Sequence, residues 1–201
     1  MLIKAVKDLR YAILLFTIFS STSISSAQTD PRLINLNNEG VKLINQNQFL
    51  PAIKKLEEAL AINPNYQKAK VNLAIAYNNY GLTLTKDPKT ALKQFEQAAY
   101  LAPNVSQTVS NLNGIISNLG LNPNSFKDRV KLASDDRLQG NFSGAIVEYL
   151  ASINIHDDRD VRIKLGDVYR VNNQIKDAID QFKLAVLMKD TADVELKLGQ
   201  A

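Results

Sequence analysis

Apolar residues recur along most of the chain at the three- and four-residue spacing of an α-helix. Two segments show this spacing: Ile53, Leu56, Ala59 and Leu60, and later Leu92, Phe95, Ala98 and Ala99. The spacing places apolar side chains on one face of a helix and leaves the other face polar. Pro64, Pro103 and Pro123 separate such segments, because a proline inside a helix loses a hydrogen bond and clashes with the preceding turn. The pattern therefore predicts helices throughout the chain.

The prolines, the turn residues and the ends of the apolar stripes give approximate helix bounds. The predicted helices span residues 34–46, 50–62, 67–84, 89–102, 106–119, 126–139, 143–154, 159–171, 175–188 and 192–201. The stretch 120–125 is the most turn-rich part of the interior, because it combines glycine, asparagines, proline and serine. The sequence thus predicts helices and no strands.

Several of these helices share an internal repeat. The second helix of each pair carries a small residue, a bulky residue four positions later and another small residue three positions after that. The four copies are Ala52, Leu56 and Ala59; Ala91, Phe95 and Ala98; Ala145, Tyr149 and Ser152; and Ala178, Phe182 and Ala185. In the first two copies Pro64 and Pro103 follow five residues further on. Small residues at these positions allow two helices to approach closely, while the bulky residue fills the adjacent space.

This repeat resembles the tetratricopeptide (TPR) family, whose first helix carries Leu-Gly and Tyr and whose second carries Ala, a bulky residue and Ala before a closing Pro. Leu165, Gly166 and Tyr169 match the first-helix part, and the resemblance covers roughly residues 33–201. It implies an all-α fold, a right-handed α-α superhelix in which antiparallel helix pairs stack as a TPR solenoid. The second copy is longer than the usual period, which a solenoid accommodates as loop variation.

The repeats suggest a domain organisation. Residues 1–27 are predicted to be a signal peptide and 28–33 a short disordered lead. Block 1 spans 33–120 and holds two repeats plus an unpaired helix at 106–119. A turn or hinge at 121–125 leads to block 2, residues 126–201, with two repeats and the start of a further helix, because Leu198-Gly199 repeats Leu165-Gly166. A single continuous superhelix without a hinge is the alternative.

The final helix implies that the natural chain continues or that another molecule covers this end.

The N-terminus has the three-part pattern of an export signal. Lys4, Lys7 and Arg10 precede an apolar run at 11–19, and small residues follow up to Ala27. The run is too short to cross a bilayer, which takes about 20 residues. We therefore expect cleavage after Ala27 and a secreted or periplasmic protein. The alternative is an uncleaved segment that anchors the chain to a membrane.

Composition narrows the function classes. The 201 residues contain no cysteine, which excludes disulfides and thiolate metal sites. The formal net charge is +4, of which Lys4, Lys7 and Arg10 against Asp8 contribute half. Basic and acidic residues alternate in the remainder, as on a solvated helix surface, so nucleic acid is not an expected partner.

The sequence contains few residues or motifs that could catalyse a reaction or bind a metal ion. His156 is the only histidine, so a paired histidine metal site is excluded. It lies in an acidic stretch that fits the start of the following helix, where acidic side chains interact favourably with the helix dipole. Asp135 and Asp136 are interpreted as part of a solvated helix face. No Gly-x-Ser-x-Gly or Gly-Lys-Ser motif occurs. We therefore expect no catalytic residue, no cofactor, no metal and no enzymatic activity.

The resemblance implies that the first helices of the pairs line a concave groove for an extended peptide or partner helix. The implied groove residues are Asn37, Val41, Ile44, Lys68, Val71, Asn72, Ile75, Asn79, Arg137, Asp167 and Arg170, with Lys127, Val130, Ser134 and Ile163 at matching positions. The expected function is a protein-protein interaction scaffold in envelope assembly, secretion or transport. The alternative is a structural repeat segment of a larger chain or of a homo-oligomer that associates through its C-terminal helix.

Overall fold

The computed structural model describes residues 30–198, and every regular element in this range is a helix. The helices are α1 (Pro31–Asn45), α2 (Phe49–Ile62), α3 (Gln67–Thr83), α4 (Pro88–Leu101), α5 (Ser106–Asn118), α6 (Phe126–Leu138), α7 (Phe142–Ile155), α8 (Arg159–Val171) and α9 (Ile175–Leu198). The all-α fold of repeated helix pairs predicted from the sequence is confirmed, and the predicted bounds are correct to within a few residues up to α8. Within residues 30–198, no helix has both the length and the apolar character needed to cross a bilayer.

Side chains at the helix starts explain where several helices begin. Within residues 30–198, N-cap side chains that accept a hydrogen bond from a backbone N–H of the first turn include those of Asp30, Asp87, Ser125, Asn141 and Asp158. Such caps satisfy N–H groups that have no partner within the helix. Pro31 and Pro88 follow two of these caps at the first helical position, where a missing N–H costs nothing. The acidic stretch after His156 thus provides the cap of α8, as the sequence indicated.

The C-terminal helix departs from the prediction. The sequence predicts a break between residues 188 and 192, but α9 runs without interruption from Ile175 to Leu198. The segment contains no proline or glycine that would end a helix, and the expected break rests on the repeat spacing alone. The start of a separate further helix at 192 is therefore wrong. The signal peptide at 1–27, the first two residues of the lead at 28–33 and residues 199–201 lie outside the described residues. The rest of the lead, predicted to be disordered, consists of the N-cap Asp30 and the first three residues of α1.

The chain divides into two compact units, residues 1–73 and 74–201, and the boundary falls within α3. The predicted turn or hinge at 121–125 lies inside the second unit and stays a prediction. There the carbonyl of Pro123 accepts a hydrogen bond of 2.8 Å from Nε of Arg129 on α6.

The described part of the first unit is built around the hairpin of α1 and α2. Leu33 of α1 and Ala52, Leu56 and Ala59 of α2 are completely buried. At Gly40 the backbone of α1 approaches the Leu56 side chain so closely that a Cβ atom would lie 2.6 Å from Leu56 Cγ. The small and bulky residues of the repeat therefore interlock as predicted.

Two groups of buried residues form the core of the second unit. The first includes Leu92 and Phe95 of α4, Leu112 and Ile116 of α5 and Leu132 of α6. The second joins α6 to α9 through Ala133, Ala145, Ile146, Tyr149, Val161, Leu165, Val168, Tyr169 and Ala178. The helix predicted to be unpaired at 106–119, α5, thus contributes side chains to the same core as α4 and α6.

Candidate partner-binding surface

In the first unit, the predicted groove residues follow one face of α1 and the N-terminal part of α3. Asn37, Val41 and Ile44 are spaced by four and three residues along α1, which places them on one side of the helix. We call Asn37, Val41, Ile44, Lys68, Val71 and Asn72 the first-helix face. The structure brings the two helices together at this face, where Nδ2 of Asn72 donates a hydrogen bond of 2.8 Å to Oδ1 of Asn37.

The members of the first-helix face differ in accessibility. Asn37 is only 6% exposed, so it holds the Asn72 amide in place and contributes little surface. Val71 is 38% exposed, Lys68 is exposed, and Val41 and Ile44 are half-buried. The face therefore offers aliphatic side chains beside a fixed amide and one flexible cation. It can bury apolar side chains of a partner and hydrogen-bond a peptide group.

In the second unit, the C-terminal part of α3 carries Ile75, which is 43% exposed, and the half-buried Asn79. Asn79 accepts a hydrogen bond of 3.3 Å from Asn78, and Asn78 in turn accepts one of 2.8 Å from Asn111 of α5. The Asn78–Asn111 pair was not predicted from the sequence. Its 33-residue separation resembles the 35 residues between Asn37 and Asn72, so a search for repeated asparagines could have found it.

The charged groove candidates of the second unit lie on α6 and α8. Arg170 Nη2 and Asp167 Oδ1 form an ion pair of 3.0 Å at the surface, which largely balances their charges. Arg137 is exposed near the end of α6, and Lys127 near its start. Val130 and Ser134 face inward instead: Val130 packs on the core, and Ser134 Oγ lies 3.2 Å from Tyr149 Oη. These two positions are not groove surface because their side of α6 packs on α7.

The most unusual polar group in the described residues was not predicted. Glu96 of α4, Asp136 of α6 and Glu148 of α7 are all buried, and Arg129 of α6 is buried with them. We call these four residues the buried ionic cluster. The interpretation of Asp135 and Asp136 as one solvated face is wrong for Asp136, because α6 turns this residue towards α4 while Asp135 stays exposed.

Hydrogen bonds connect the buried ionic cluster to its surroundings. Arg129 Nη1 donates to Glu148 Oε2 at 2.7 Å, and Arg129 Nη2 donates to Oδ1 of Asn113. Nδ2 of Asn141 donates to Glu96 Oε2 at 2.8 Å and to Asp136 Oδ1 at 2.9 Å. Asn141 therefore holds two carboxyl groups of different helices side by side.

Burial changes the protonation of all three acids. It raises the pKa of Glu96 well above its usual range, and the nearby charges of Asp136 and Glu148 raise it further. Burial also raises the pKa of Asp136, against the hydrogen bonds from Asn141 and Glu96. Burial raises the pKa of Glu148 to about 7, although Arg129 acts in the opposite direction. The charged form of a carboxyl is disfavoured in each case because it has lost its water.

A cavity of about 320 Å³ lies beside this cluster, inside the second unit. Its wall is mainly apolar, with Leu112, Ile146 and Val147 among the lining residues and Arg129 at one side. Tyr100 also lines it and donates a hydrogen bond of 2.9 Å to Gln174. Among residues 30–198, no group of three or more acids, histidines or cysteines is arranged to hold a metal ion.

Comparison with known proteins gives a partial family match. The family described as the plant-specific mitochondrial import receptor subunit TOM20 matches residues 37–111, which is less than half of the chain. These residues span α1 to α5 and include the first-helix face. No curated protein sequence matches the chain.

Solved structures with similar arrangements of helices are distant in sequence. MamA from Desulfovibrio magneticus RS-1 is 13% identical, covers 82% of this chain and 98% of its own, and has a TM-score of 0.36. A second MamA crystal structure is 19% identical, with coverages of 77% and 96% and a TM-score of 0.35. TTC0263, a thermophilic TPR protein of Thermus thermophilus, is 19% identical, with coverages of 83% and 95% and a TM-score of 0.34. The helix hairpins and the repeat described above define this chain as TPR-like.

Proposed function

We propose that the chain is a non-catalytic protein-interaction scaffold that binds an extended peptide or a partner helix on the first-helix face. The observation that carries this proposal is the position of exposed Val71 and half-buried Val41 and Ile44 beside the hydrogen-bonded Asn37–Asn72 pair. Apolar contacts supply most of the binding energy at such surfaces, and fixed amides orient the ligand.

Three further points support the proposal. The Asn72 amide is already ordered by Asn37, so a partner does not have to immobilise it on binding. Lys68 is exposed next to Val71 and favours a partner with a carboxylate near the bound segment. The match to an import receptor subunit covers this face, and a receptor role agrees with recognition of another polypeptide.

Replacement of Val71 by aspartate is expected to weaken peptide binding at least about tenfold, equal to about 1.4 kcal/mol. The substitution would remove an aliphatic contact, place a charge among the apolar side chains and compete with a carboxylate of the partner for Lys68. The measurement is fluorescence anisotropy of the purified chain with the strongest binder from an array of random 12-residue peptides.

Leu50→Asp is the matched control, because Leu50 is 57% exposed on α2 and lies outside the first-helix face. It should leave the affinity unchanged. Equal weakening by Leu50→Asp and Val71→Asp would contradict the proposed location of the site. No binding by the unaltered chain to any peptide would instead favour the alternative, a structural or self-associating repeat segment. That alternative is supported by Ile175, Ile179 and Val186, which are 50%, 46% and 57% exposed on α9.

We further propose that the scaffold acts outside the cytoplasm, in the periplasm or as a secreted protein, in envelope assembly, secretion or transport. The basic, apolar and small-residue order before Ala27 supports export. The mature chain is expected to begin at Gln28, which intact-mass measurement of the exported protein checks. A membrane-bound protein of full-length mass would contradict cleavage and favour the anchor.

A further inference from the structure

The carboxyl groups of Glu96 and Asp136 meet where α4 contacts the α6–α7 hairpin. Asn141, the N-cap of α7, donates one hydrogen bond to each of them, at 2.8 Å and 2.9 Å. Oδ1 of Asn141 accepts hydrogen bonds from Gln97 Nε2 at 3.0 Å and from the Gly144 N–H at 3.3 Å. The Asn141 side chain is therefore fully occupied in holding α4, α6 and α7 together.

The two hydrogen bonds from Asn141 satisfy only one oxygen of each carboxyl group. Glu96 Oε1 and Asp136 Oδ2 are buried and receive no hydrogen bond from any group among residues 30–198. An unsatisfied buried carboxylate oxygen is costly, and two adjacent buried carboxylates repel each other. A single proton between the two groups, which lie within hydrogen-bonding distance of each other, removes the repulsion and supplies a missing donor.

The charged side chains around Glu96 and Asp136 do not neutralise the two carboxyl groups in place of this proton. Arg129 of α6 is buried nearby, but it pairs with Glu148 of α7 at 2.7 Å. Lys93 on α4 is exposed, and Asp135 on α6 acts on Asp136 with the opposite sign. With all three buried acids ionised, Arg129 would be the single buried cation among three anions.

We propose that Glu96 and Asp136 share one proton and form a proton-dependent clasp, which holds the α6–α7 hairpin on α4 and loosens when the proton is lost. The proton is held above the pH at which an ordinary glutamate ionises, because burial and neighbouring negative charge both favour the protonated form of Glu96. It lies in the second unit and does not depend on the proposed peptide site. Loss of the proton leaves two buried carboxylates in contact, and separation of α4 from the hairpin lets water reach them.

The test is the pH dependence of urea unfolding of the full chain between pH 7 and 9.5. If the folded state holds one extra proton, its unfolding equilibrium constant rises by up to about tenfold per pH unit. Glu96→Gln should remove most of this slope, because its amide donates to Asp136 as the shared proton does, and it should be more stable than the unaltered chain at pH 9.5. Asp135→Asn, at the exposed neighbouring position, should keep the slope.

A second measurement covers variants that fold poorly. Hydrogen exchange of the unaltered chain should show that protection factors of α6 and α7 fall as the pH rises from 7 to 9.5, while those of α8 fall less. Asp136→Asn should abolish this fall as Glu96→Gln does. An unfolding constant that is independent of pH over this range, or a slope that persists in both amide variants, would overturn the clasp.

Discussion

Replacement of Arg129 by methionine is expected to destabilise the second unit by about 3–5 kcal/mol at pH 8. Methionine has a similar volume, so the main loss is the charge that pairs with Glu148 at 2.7 Å. Removing one partner of a buried ion pair leaves the other charge unpaired without water, which accounts for a cost of this size. The measurement is urea unfolding followed by circular dichroism.

The pH dependence of this loss identifies its cause. A carboxyl with a raised pKa in the folded chain contributes its full stability below its ordinary pKa and loses it as the pH rises through the raised value. For Glu148 that window runs from the ordinary 4.5 to about 7. Without Arg129 the pKa of Glu148 rises further and the window extends above 7, so the loss should be smaller at pH 5 than at pH 8.

Two matched variants complete this experiment. Lys131→Met changes an exposed lysine of the same helix and should alter stability by less than about 0.5 kcal/mol. The double variant Arg129→Met, Glu148→Gln should be more stable than Arg129→Met alone, because no unpaired buried charge remains. If Arg129→Met proved as mild as Lys131→Met, the ion pair would not stabilise the second unit.

Gly40→Ala is expected to destabilise the first unit by about 1–3 kcal/mol, the usual cost of overpacking a tight contact. The added methyl group would lie 2.6 Å from Leu56 Cγ and 2.8 Å from Cδ2, at a side chain that is completely buried. The α1–α2 hairpin would have to open slightly to admit it. Thermal unfolding measures the loss.

Replacement of Gly114 by alanine should instead increase the stability of the protein. Gly114 lies inside α5, and a Cβ atom there would meet no heavy atom within 4 Å apart from its chain neighbours and the backbone of its own helix, so alanine adds helix propensity worth up to about 1 kcal/mol. The pair of variants separates lack of space from the intrinsic effect of replacing glycine. Stabilisation by both substitutions would show that Gly40 does not mark a close helix contact.

Much of the fold could be predicted because local residues determine it. The caps and prolines at Asp30-Pro31 and Asp87-Pro88 act within one turn of the chain, and their effect is visible in the sequence. The small residues at Ala52 and Ala91 recur in the same frame, so their burial followed from the repeat. The predicted end of α9 is wrong because a repeat period alone, without a glycine or proline, does not end a helix.

The buried ionic cluster could not be predicted in the same way, because the types of its residues indicate exposure. Asp135 and Asp136 are identical and adjacent, and only the rotation of α6 towards α4 separates the exposed one from the buried one. The spacing of apolar residues along α4 does contain a weak indication that Glu96 is buried. Glu96 lies four residues after Leu92 and three before Ala99, within the apolar stripe of α4.

The hydrogen bonding of the half-buried Asn141 also bears on covalent modification. Asn141-Phe-Ser143 and Asn104-Val-Ser106 both match the acceptor sequence for N-linked sugars. Nδ2 of Asn141, the atom that a sugar would occupy, donates to Glu96 and Asp136 between packed helices. Asn104 lies exposed in the turn before α5. In a cell that glycosylates exported chains, the folded protein therefore presents Asn104 to the transferase and withholds Asn141, and a sugar on Asn141 would mark a chain modified before its second unit had folded.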